Sequence, residues 1–241
     1  MLVLWNGAPS GLNSEFFAYA LTGGVAQIVG TSALLASFAY GKFAVGTAFS
    51  KTETAQAAVF GLLVLGDAID VWVVSGIGVS LVGVFMLSGH YRSGELFRPN
   101  RVMLMGLISG AGFAVSAVCF RGASLALDSG SVVERASLTV VTTVTLQTLI
   151  MGSYLRLREP GQLKSVAASW RTAVWVGAIG AVASAGWFTA MTLHNAAVVR
   201  AVGQVELLFA ALTSVLFFGE HLGAREIFGF VLLVAGIFLL L

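Results

Sequence analysis

The chain has 241 residues, of which 58% are hydrophobic and 10% charged, with a formal net charge of +2 and a mean hydropathy of +0.94. So little charge cannot cover the surface of a soluble domain of this size, and with no basic run in the chain no nucleic-acid partner is expected. The single cysteine, Cys119, excludes an internal disulfide and a thiol-based metal site; in an apolar stretch it reads as a small packed hydrophobe.

The N-terminal stretch MLVLWNGAPSGLNSE lacks a basic region and does not read as a signal peptide. From there, charged and turn-forming residues cut the chain into eight apolar stretches, each near the ~20 residues that cross a bilayer core of about 30 Å. They are residues 16–38, 43–65, 71–88, 102–125, 132–155, 173–193, 196–218 and 227–241. The fold class is therefore all-α, a polytopic transmembrane helix bundle. The connectors HYRSGELFRPNR, LDSGS and RLREPGQLKSVAASWR are polar. The others are only a few residues long, so sequential helices are expected to be antiparallel neighbours. Gly is abundant at 29 residues, and small residues at four-residue spacing mark packing faces: Gly106 with Gly110, Gly76 with Ser80, Gly177 with Ala181.

A single gapless offset of 153 positions relates Glu53 to Glu206, Gly66 to Gly219, Asp67 to Glu220, Gly76 to Gly229, Gly83 to Gly236 and Phe85 to Phe238. A fixed offset across two helices and their connector is the signature of an internal duplication. Residues 101–153 have no counterpart under this offset, so the first half (1–98) holds three helices and the second (99–241) five. An odd number of helices per half inverts one copy relative to the other. The eight helices thus read as an inverted 5+5 repeat lacking two N-terminal helices; a true eight-helix protein is the alternative.

The stretches AAVFGLLVLGD…GIGVSLVGVFML and LLFAALTSVLFFGEHLGAREIFGFVLLVAGIFLL resemble the EamA domain of the drug/metabolite transporter superfamily. In that family each repeat's fourth helix ends in a small-residue stretch and an acidic residue, and the fifth carries spaced glycines. The matching positions are Gly66-Asp67 with Gly76 and Gly83, and Gly219-Glu220 with Gly229 and Gly236. The resemblance implies ten helices, secondary transport of small metabolites or drugs, an efflux direction and proton coupling. The chain departs from the pattern at Thr54 and Leu207, where family members often carry a proline.

Glu206 lies 14 residues before Glu220, about 21 Å along a helix. Glu206, and by the same geometry Glu53, therefore fall inside the hydrocarbon zone, at a cost of roughly 2.5–3.5 kcal/mol each on insertion scales. Each must face a wet cavity, find a partner or take up a proton, and their equivalent positions place a candidate site near the midplane. The bland alternative is a pair of buried hydrogen bonds that only hold helices together. Lys51 and Glu53 point to nearly opposite helix sides, so they should not neutralise one another. Lys51 either snorkels or binds an anionic group; its repeat partner Gln204 keeps a donor without the charge. Arg200, one turn before Gln204, reads as an interfacial anchor first and a ligand second. Arg121 is expected to pair with Asp128, Glu134 to serve a helix start, His194 to cap or sit at an interface, and Asp67, Asp70, Glu220 and Glu226 to cap or orient helices. Trp175 and Trp187 read as packing or interface residues.

Lys and Arg crowd the loops after the first, third, fifth and seventh stretches, which places that side in the cytoplasm, whereas the resemblance implies cytoplasmic ends for a ten-helix member. No GxSxG, HExxH or GxxxxGK[ST] motif occurs, and His90, His194 and His221 lack metal-ligand spacing. An enzyme is therefore disfavoured, and no cofactor or metal is expected. The expected function is secondary transport of a small-molecule solute across the cytoplasmic membrane through Glu53, Glu206, Lys51, Gln204 and Arg200. A truncated or accessory membrane protein without transport activity is the alternative.

Overall fold

A computed structural model describes residues 12–40, 43–87, 101–218 and 223–240. Gly219, Glu220, His221, His90, Arg92 and Arg98 lie outside the described residues. Those described form helices and connectors only: α1 (Ser14–Tyr40), α2 (Phe43–Ser50), α3 (Glu53–Leu65), α4 (Val71–Leu87), α5 (Arg101–Leu125), α6 (Val132–Arg158), α7 (Gln162–Ala168), α8 (Trp170–Leu193), α9 (Ala196–Gly203), α10 (Glu206–Phe218) and α11 (Ala224–Leu240). Helices α1, α5, α6 and α8 are long and apolar enough to cross a membrane, so the protein is an all-α membrane bundle.

Helices form over the described parts of the expected stretches (Ser88 and Leu241 lie outside the described residues), with one correction that recurs. Residues 43–65 and 196–218 are not single helices; each is two segments meeting near its middle. At the first joint Thr52 N–H donates to Phe49 O (3.2 Å) and Thr54 N–H to Lys51 O (3.5 Å). At the second, Gln204 N–H donates to Ala201 O (3.1 Å), Val205 N–H to Val202 O (3.1 Å) and Leu207 N–H to Gln204 O (2.9 Å). These are the three-residue closures of a 3₁₀ turn, which tightens a helix without a proline or a left-handed residue. Thr52 (φ −63°, ψ −6°) and Gln204 (φ −62°, ψ −10°) have nearly the same backbone conformation. The first joint also has a local cause. The hydroxyls of Ser50, Thr52 and Thr54 bond back to the carbonyls of Thr47, Phe49 and Lys51, a habit that bends helices. A second difference is α7, which forms inside the predicted polar connector before α8.

The described residues fall into two compact units. One holds those up to Val25 with Cys119–His194; the other holds those of Ala26–Val118 and Asn195–Leu241. In the first, Phe16, Ala20, Ala123 and Leu127 form one small core, and Phe120 stacks on Phe188 at 4.4 Å above Ala136. Trp187 packs beside that second cluster. Ser131 and Glu134 make a capping box at the start of α6. Arg121 donates to the carbonyls of Met191 (3.0 Å) and His194 (2.7 Å), which satisfies acceptors at the C-terminal end of α8. Asn195 then caps α9 through Ala197 N–H.

In the second unit α4 packs chiefly on α11, not on its sequence neighbour α3 as the short connector suggested. A Cβ built on Gly83 would lie 2.6 Å from Gly229 O, and one on Gly236 would lie 2.6 Å from Ser80 N and 2.7 Å from Gly76 O. The register falls on α11 as it rises on α4, so the two run antiparallel. The four glycines are the two pairs related by the 153 offset. The contact is thus isologous, with Gly83 on the counterpart of Gly76, and Gly76 on the counterpart of Gly83. Close backbone approach supplies the van der Waals attraction that joins helices where lipid removes the hydrophobic drive. Gly106 and Gly110 do the same for α5 against α2, where added Cβ atoms would lie 2.6 Å from Phe49 Cβ and 2.9 Å from Ser50 O. A Cβ built on Gly177 would meet nothing within 4 Å, so the expected packing face at Gly177 and Ala181 is not close-packed there. Gly66, at φ 68°, closes α3 in the left-handed conformation, and Asp70 Oδ1 accepts from Val73 N–H (2.8 Å) at the start of α4.

Candidate functional site

All five residues singled out from the sequence lie in the second unit, at or beside the two joints. At the joints α3 packs against α9, and three contacts between the sequence halves are seen there. Lys51 Nζ bonds to Glu206 Oε1 as an ion pair. Arg200 Nη1 stands 3.7 Å from Glu53 Oε1. Gln204 Nε2 approaches Thr54 Oγ1 at 3.5 Å. Each carboxylate is therefore met by a cation from the other half. Arg200, read from the sequence as an interfacial anchor first and a ligand second, faces Glu53 in this cluster. Of the two expectations for Lys51, an anionic partner is present, and it is Glu206.

The two glutamates hold equivalent sequence positions in unlike surroundings. The Glu53 side chain is 7% exposed and its partner Arg200 16%; Glu206 is 57% exposed and Lys51 15%. The cations are not equivalent either. Under the 153 offset the counterpart of Lys51 is Gln204, and that of Arg200 is Thr47.

These groups edge a cavity of about 370 Å³. Its polar lining is Gln27, Thr47, Ser50, Lys51, Glu53, Arg200 and Glu206, and its apolar lining Leu34, Phe38, Phe113 and Leu207. The Arg200 guanidinium also lies 5.9 Å from the centroid of the Phe113 ring, within reach of a cation–π contact. Two positive and two negative side chains leave this wall with no formal net charge. An apolar wall facing a few placed charges is the usual make-up of a small-molecule site. Gln204 is not part of the lining; it is buried beneath it, and its Oε1 has no hydrogen-bond partner among the described residues.

Sequence reasoning overlooked Gln27, Thr47 and Phe113. A polar residue at 27, inside an apolar stretch, was the available signal for the first; Phe113 carries none, being one aromatic among 17 phenylalanines. A second cavity of about 410 Å³ lies between α6 and α8, lined by Val140, Val141, Val144, Thr145, Gly177, Gly180, Ala181 and Ser184. It contains no ionisable group and offers a solute no orienting charge.

The model of the EamA-like transporter family matches residues 100–241. A solved chain titled "Crystal structure of protein" is similar over 95% of this chain and 88% of its own, at 16% identity and a TM-score of 0.60, a likeness of fold. No curated protein matches.

Proposed function

The chain belongs to the EamA-like transporter family, and from that premise we propose that it carries a small organic solute across the cytoplasmic membrane by alternating access. The solute's seat is the cavity at the two joints. The observation that carries the reading is the pairing of Glu53 and Glu206 with cations from the opposite half on the wall of that cavity. Intramembrane charges are costly and mark solute or ion pathways. Broken helices at corresponding positions of two halves mark the site around which such halves rock. A solute with both an amine and a carboxylate exchanges its charges with these pairs: its ammonium onto Glu53 or Glu206, its carboxylate onto Lys51 or Arg200. Its apolar part then rests on Phe38, Phe113 and Leu34. The halves 1–98 and 99–241 move as inverted repeats, the direction is outward, and the carboxylates hand a proton across in exchange.

Uptake of a labelled amino-acid mixture into proteoliposomes tests this. The 241-residue protein is expected to transport, and Glu53→Gln or Glu206→Gln, with unchanged elution from a sizing column, to abolish it. Undiminished transport by both variants overturns the site assignment.

A further inference from the structure

We infer that the unequal placing of the two cations holds the unloaded protein in the state seen here. The opposite-facing state then needs a positive charge from outside the chain. This rests on the alternating-access reading above.

The argument is one of symmetry. When two inverted halves exchange conformations, the assembly becomes its own image turned over, open to the other side. Every contact between position p of the first half and position q of the second is then replaced by a contact between their counterparts. Applied at an offset of 153, the Lys51–Glu206 pair becomes Glu53 against Gln204, and the Glu53–Arg200 pair becomes Thr47 against Glu206. Both ion pairs vanish, and both carboxylates face neutral side chains. The carboxylates are matched between the halves; the cations are not. Two ion pairs thus favour one side and none favours the other. A conformational equilibrium is shifted only by such a difference between its states. The unequal exposure of Glu53 and Glu206 marks the observed conformation as one of two such unlike states.

The test makes the halves alike. A cysteine at Leu34→Cys, on the cavity wall, is labelled with a membrane-impermeant maleimide from outside in intact cells and from inside in inverted vesicles. Modification is read peptide by peptide, so that the buried Cys119 reports unfolding. The parent should label from one side. Lys51→Gln with Arg200→Thr removes both pairs from both states, and Thr47→Arg with Gln204→Lys supplies both states with both. In each pair of substitutions the disfavoured side should gain about tenfold or more in rate, toward equality. If either doubly substituted protein keeps the parent's preference while Cys119 stays protected, the inference is overturned. So it is if the parent labels equally from both sides. Solute uptake by the parent in the same vesicles separates the two readings. Uptake with unchanged side preference in the variants sinks the inference alone; no uptake and one-sided labelling throughout sinks alternating access as well.

Discussion

Glu53 and Glu206 begin the second segment of two broken helices at equivalent sequence positions, yet one carboxylate is buried against Arg200 and the other reaches Lys51 from a half-open surface. Equivalent position does not mean equivalent energy.

The first prediction follows from that difference. Glu53→Gln removes the carboxylate that faces a largely buried guanidinium, a change that costs about 3–5 kcal/mol at fully buried pairs. Glu206→Gln removes a carboxylate that is itself 57% exposed, so water offsets more of the loss although Lys51 is as covered as Arg200, and the cost should lie nearer that of surface pairs, about 0–1 kcal/mol. In thermal unfolding of the detergent-purified protein, Glu53→Gln should therefore lower the melting temperature clearly and Glu206→Gln hardly at all. Equal shifts would mean that the two glutamates share one environment.

A second prediction concerns the glycine contact. Gly83→Ala and Gly236→Ala each put a methyl group into the partner's backbone, which cannot yield as a side-chain tip can. Overpacking of this kind costs about 1–3 kcal/mol. Gly78→Ala, on the same helix as Gly83 but with nothing within 4 Å of the added carbon, should be neutral or mildly stabilising. The three variants, compared by heating followed by size-exclusion chromatography, should separate into two losses and one non-loss.

A third prediction addresses the buried amide. Gln204→Met keeps the volume and removes a carbonyl oxygen that has no hydrogen-bond partner among the described residues. Relief of a desolvated acceptor offsets the loss of the long 3.5 Å approach to Thr54. Stability should stay within about 1 kcal/mol of the parent. A large fall in melting temperature would show that Oε1 holds a bridging water or ion.

The fourth is at the start of α6. Ser131→Ala removes the side-chain half of a capping box, with an expected loss of about 0.5–2 kcal/mol. Ser131→Asp, which restores an acceptor, should recover most of it. Hydrogen exchange of the first-turn amides of α6 reads the effect directly.

Much of this architecture could be read in advance, because membrane burial leaves a coarse and robust imprint. Composition established the class, and runs of about 20 apolar residues located the spans. The 153 offset picked out Gly76, Gly83, Gly229 and Gly236 before any contact was known. Glu53 and Glu206 stood out because charge is rare where they sit. The joints escaped because nothing at residues 51–52 or 204–205 is a proline, and a 3₁₀ closure needs only a small change in ψ. The hydroxyl run of Ser50, Thr52 and Thr54 was the one visible hint. The pairing of Arg200 with Glu53 escaped for a different reason. Which cation meets which carboxylate depends on how helices distant in sequence approach one another, and no local pattern encodes that.

The glycine seam between α4 and α11 also bears on how independently the two sequence halves can change. Gly83 is answered by Gly229, and Gly76 by Gly236, so enlarging a residue in either copy injures its opposite number, and neither copy holds a spare. The cation positions carry no such mutual debt: Lys51 and Gln204 occupy matching places with unlike chemistry. A substitution along the seam is therefore felt by both segments at once, whereas one at position 51 or 204 is felt where it stands.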